Sequence, residues 1–110
     1  MDEQVTVLAR VHARAGKEAE VQRLLRALVA PSRAEAGCLN YDLHQSVDDP
    51  TEFMFYENWT SRAALDAHLD MPYLNEFDAL AEDLLAEPVE ITFWQMISAL
   101  PTKKATNPNG

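Results

Sequence analysis

Runs of period-two hydrophobicity alternate along the chain with longer runs of helical period. Val5–His12 puts Val5, Val7, Ala9 and Val11 on one face and Thr6, Leu8, Arg10 and His12 on the other, which predicts a first strand. Ala15-Gly16-Lys17 is a turn, with a glycine free to take positive φ. From Lys17 to Ala30, Val21, Leu24, Leu25, Leu28 and Val29 recur at three- and four-residue spacing and form one helical stripe. Pro31, lacking an N–H, is expected to kink or end that helix. Leu39–Ser46 reads as a second strand, with Leu39, Tyr41 and Leu43 opposite Asn40, Asp42 and His44. Val47-Asp48-Asp49-Pro50 is a turn that joins it in a hairpin to a third strand, Phe53–Trp59. Ser61 caps a short helix, Arg62–Leu69, and Pro72 opens another. The stripe of that second helix is Tyr73, Leu74, Phe77, Leu80, Ala81, Leu84 and Leu85, and Pro88 closes it. Val89–Ala99 is the fourth strand.

The order β-α-β-β-α-β predicts an α+β, ferredoxin-like domain with an antiparallel sheet over residues 1–100. The last ten residues, 101–110, carry no apolar pattern and read as a flexible C-terminal tail. The helices cover one face of the sheet. Strands three and four are apolar on both faces, with Met54, Tyr56, Trp94 and Met96 left on the far side. Uncovered apolar area of that kind is rare on soluble monomers, so a homodimer packed sheet to sheet is expected.

Composition narrows the function classes. At 110 residues there is room for one domain with a small core. Nine basic against 18 acidic residues leave a net charge of −9, which argues against nucleic acid and anionic membrane surfaces as partners. No apolar run approaches the ~20 residues of a membrane span. The acidic N-terminus runs straight into a strand pattern, against a signal peptide, and the single cysteine, Cys38, excludes an internal disulfide. A cytoplasmic protein is the expectation.

Candidate chemistry gathers in Phe53–Leu69. His68 lies beside Ala64, Leu65 and Leu69 on its helix, where it is either a structural histidine or a general base for a bound hydroxyl. Glu57 sits among phenylalanines, so it either pairs with Arg10 or Arg62, or it orients His68 or binds substrate. Phe53 and Trp59 share its parity and are either core or the walls of a flat apolar pocket. Tyr41 offers a phenol to substrate or to a backbone partner. His12 and His44 read as surface residues, and the histidine spacing resembles no metal-ligand motif, so no metal is expected. Cys38 follows a turn glycine with no base beside it and reads as a structural thiol.

Several short pieces together resemble the antibiotic biosynthesis monooxygenase-like family of dimeric α+β barrels. They are Gly16-Lys17, Glu35-Ala36-Gly37-Cys38-Leu39-Asn40-Tyr41, Asp49-Pro50, Tyr56-Glu57-Asn58-Trp59, Ala67-His68-Leu69 and Met71-Pro72-Tyr73, covering roughly residues 5–97. The family includes cofactor-free oxygenases of quinols and aromatic polyketides, an isomerase of a phosphorylated signalling sugar, and haem-degrading enzymes. The haem branch's asparagine, tryptophan and histidine positions hold Ala9, His68 and Asp78 here, so the resemblance implies no haem. In the quinol and isomerase branches the position of His68 is also histidine.

The leading expectation is a cofactor-independent monooxygenase that uses O2 on a small aromatic di- or polyphenol. His68, supported by Glu57, would deprotonate the substrate, while Tyr41, Phe53 and Trp59 bind it. Without a metal or flavin motif in the sequence, the substrate anion is the electron donor. Two alternatives stand beside it. One is an isomerase of a small hydroxy-ketone, for which Arg10, Arg62 and Lys17 are the candidate phosphate ligands. The other is a non-catalytic dimer that binds a small aromatic.

Overall fold

The computed structural model describes residues 3–99, and the expected tail 101–110 lies outside them. Seven elements follow in order: β1 (Val5–His12), α1 (Glu18–Arg33), β2 (Cys38–Gln45), β3 (Glu52–Trp59), α2 (Arg62–Leu69), α3 (Pro72–Ala81) and β4 (Glu90–Trp94). The strands make one antiparallel sheet in the order β2-β3-β1-β4, the ferredoxin-like arrangement with its second crossover split into two helices. Register sets which side chains share a face. Val7 lies opposite Glu57, Ala9 opposite Phe55 and Val11 opposite Phe53, while Tyr41 flanks Glu57 on the other side. This face buries its residues against Val21, Leu25 and Leu28 of α1, Leu65 of α2 and Phe77 of α3.

Three boundaries differ from the sequence expectation, each for a tertiary reason. Helix α1 passes through Pro31 and ends at Arg33. Ser32 is fully buried, and Arg33 reaches β2, donating to the Tyr41 carbonyl at 3.0 Å and to Asp42 at 2.9 Å. Those contacts offset the one backbone bond that proline removes. Helix α3 stops at Ala81, well before Pro88, and Leu80 is exposed. Beyond it the chain bends to reach the end of β1, where Arg14 N–H donates to the Leu84 carbonyl and Ala86 N–H to that of His12. Leu84 and Leu85 are therefore buried from a turn. Strand β4 covers five residues, because its partner runs out: Trp94 already faces Thr6, next to the first residue of β1.

Gly37 governs how closely α2 approaches β2. A Cβ there would lie 2.3 Å from the Ala64 methyl and 3.1 Å from the Thr60 hydroxyl. Gly37→Ala is expected to push α2 outward and to destabilise the fold by about 1–3 kcal/mol, the usual range for overpacking. Adding Ala64→Gly should recover much of that loss, which denaturant titration of the two variants will test.

Candidate active site

Ser61 caps α2 by accepting from the Ala64 N–H at 3.1 Å, and the helix then delivers His68, 2% exposed, onto the sheet. Its ring lies tilted on Trp59, 4.4 Å between centroids, and edge-on to Tyr41 at 5.4 Å. Nδ1 stands 2.7 Å from Glu35 Oε2. A carboxylate can only accept, so Nδ1 carries a proton, and in the neutral ring Nε2 is the basic nitrogen. The Tyr73 hydroxyl donates to the same carboxylate oxygen. Burial, then the bond to Glu35, pushes the Tyr73 phenol up to about 12, so it remains a donor at neutral pH.

Glu57 is 3% exposed, and its Oε1 accepts from the Trp59 indole N–H at 2.9 Å. Burial raises its carboxyl to about 7; the indole bond works the other way, and Glu35 adds a smaller push upward. Burial, with the Glu57 charge next, also pushes the Tyr41 phenol upward.

Tyr41, Glu57 and His68 border a cavity of about 100 Å³ between the sheet and the helices. Its polar lining is Tyr41, Glu57, His68 and Asp78; Phe55 and other apolar side chains supply the rest. Glu57 and His68 thus converge on one void, but Glu57 binds Trp59, and the acid that holds His68 is Glu35. Trp59 lies fully buried beneath the imidazole and Phe53 is buried at the far end of β3; neither lines the cavity, where Phe55 takes the place expected of them.

The cations expected nearby lie elsewhere. Arg10 stands within 3.7 Å of Glu52 and 3.9 Å of Glu90. Arg62 pairs with Asp66 and stacks on Phe93, and Lys17 sits at the start of α1. None borders the cavity. His12 belongs to a charged cluster at one end of the sheet: its Nδ1 is paired with Glu87, which raises its pKa, and Asp49 and Glu52 lie close by. His44 is exposed, and burial raises the Cys38 thiol, in keeping with an unreactive cysteine.

Glu35 and Tyr73 escaped the sequence reading as site residues. Both lie in pieces that carried the family resemblance, Glu35-Ala36-Gly37 and Met71-Pro72-Tyr73, yet no spacing rule links position 35 to 68.

Comparison with known proteins bears on the family and the fold. Residues 4–87 match the family model for antibiotic biosynthesis monooxygenase. The fold is similar to that of PA3566 from Pseudomonas aeruginosa, at 41% identity over 89% of this chain and 98% of that one, with a TM-score of 0.84. It is also similar to Rv0793 from Mycobacterium tuberculosis, at 34% identity over 90% and 100% of the two chains, with a TM-score of 0.83. A Synechocystis protein, sll1783, is 35% identical over 86% of this chain, which spans 65% of that protein's length. Sequence pattern, sheet topology and these likenesses agree: the chain belongs to the antibiotic biosynthesis monooxygenase family.

Proposed function

We propose that the protein is a cofactor-independent monooxygenase of small phenols of the quinol type. The observation that carries this reading is the imidazole held by Glu35 at the cavity wall, whose neutral form offers Nε2 as a base. His68 takes the proton of a bound hydroxyl at Nε2, and Glu35 stabilises the resulting imidazolium through Nδ1. The phenolate then gives up electrons to O2. Overall the substrate loses two hydrogens and gains one oxygen, and the second oxygen leaves as water, so no external reductant is required. Glu57, with its pKa near neutrality, holds a second substrate hydroxyl as donor or acceptor. The aromatic stack of Trp59 and Tyr41 fixes the imidazole plane, and the apolar lining keeps water from the anion.

Oxygen uptake with a panel of reduced naphthoquinols and anthrones tests the reading. Uptake above autoxidation for at least one supports it; none for any overturns it. An isomerase would transform its hydroxy-ketone without O2, and a binding protein would bind phenols without turnover.

We further propose that two copies pack through the sheet face turned away from the helices. Met54 and the exposed Tyr56 lie there on β3, and the exposed Trp94 on β4. Trp94→Glu is expected to convert a dimer to a monomer in analytical ultracentrifugation, and a wild-type monomer at tens of micromolar would sink the idea. No described helix is long and apolar enough to cross a membrane.

A further inference from the structure

The cavity adjoins a larger open cleft of about 540 Å³ between the end of α3 and the segment leading into β4. Asp78, Val89 and Ile91 border both spaces. The charges around the two spaces are unbalanced. The cleft carries Asp78, Glu82 and Glu87 against Arg14, whose Nε is already engaged by the Leu85 carbonyl at 2.9 Å. Further in stand Glu57 and Asp78, and among the described residues no lysine or arginine borders the cavity.

We propose that this cleft is the substrate entrance, and that Asp78 at its junction with the cavity makes the site select uncharged phenols over carboxylated or phosphorylated ones. The proposal rests on the phenol-binding reading given above. An anion moving from the open cleft into the cavity sheds hydration while it approaches like charge, and both effects oppose entry. A neutral phenol suffers neither, and its hydroxyl donates to the Asp78 carboxylate. Partial burial shifts the Asp78 carboxyl upward. Discrimination therefore comes from a repulsive element as well as from fit.

Calorimetric titration at pH 8, without turnover, tests this with two probes that share a ring: hydroquinone and its carboxylated form, 2,5-dihydroxybenzoate. Hydroquinone is expected to bind about tenfold to a hundredfold more tightly, the scale of one unfavourable like-charge contact. Asp78→Asn should shrink that ratio several-fold, and Asp78→Lys should reverse it. Position 78 is on an exposed helix face, and unchanged melting temperatures will show that the variants fold. Equal wild-type affinities, no binding of hydroquinone, or a ratio untouched by both variants would overturn the proposal. Bound hydroquinone that consumes no O2 would instead count against the oxygenase reading and leave the charge filter standing.

Discussion

Replacing His68 with glutamine is expected to lower oxygen uptake with the best quinol of the panel by about 10²–10⁴-fold, the range for losing a positioned general base. Glutamine still reaches Glu35 with an amide N–H, but it offers no basic nitrogen to the cavity. The loss should fall on kcat rather than KM, because the base acts as the substrate hydroxyl ionises. Substrates supplied with an already acidic phenol should lose less, since their proton leaves without help. Glu35→Gln distinguishes orientation from basicity. It keeps the imidazole and removes the negative charge that stabilises the imidazolium, so a smaller loss, again in kcat, is expected. Retained turnover in His68→Gln, with an unchanged unfolding transition, would exclude the imidazole from the chemistry.

The second large effect is on stability. Glu57 carries a folded-state pKa of about 7 against an ordinary 4.5. Between those values the folded protein holds a proton that the unfolded chain has released. Stability therefore falls as pH rises from about 4.5 to 7, and stays lower above. A shift of this size corresponds to roughly 3 kcal/mol. Glu57→Gln removes the titration, and the Gln amide oxygen can still accept from the Trp59 indole. The variant should match the wild type near pH 4 and exceed it at pH 8 by a few kcal/mol, a difference in melting temperature on the order of 10 °C. Parallel wild-type and variant melting curves across that range would show that the carboxyl titrates normally. A gain in stability with a loss of turnover would show why a buried acid is kept.

The architecture was legible because the hydrophobic period switches cleanly between two and three-to-four, and because prolines and turn residues fall between the runs. Its boundaries were less so. Pro31 is overridden by the anchoring of Arg33 on β2, and the end of β4 is decided by the length of β1, where Trp94 meets Thr6, 88 residues away in the chain. His68, Glu57 and Tyr41 stand out in the sequence as chemistry-bearing residues set in apolar runs, and all three border the cavity. Phe53 and Trp59 share the parity of Glu57, but parity selects a face of the sheet and not a place along it. Glu35 carries no local signal of its role, since its partner is 33 residues distant and arrives only when α2 docks.

One carboxylate oxygen of Glu35 receives both His68 and Tyr73. It thereby fastens three separate stretches of chain: the turn after α1, the end of α2 and the start of α3. Fraying of α3 at its first turn would withdraw a donor from that oxygen and loosen the imidazole in the same event. The helical layer should then open as one cooperative unit, with amide protons of α2 and α3 exchanging at matched rates. Cleft width and base alignment would rise and fall together, so that loosening the entrance to admit a bulkier ring would also misalign the group that must deprotonate it.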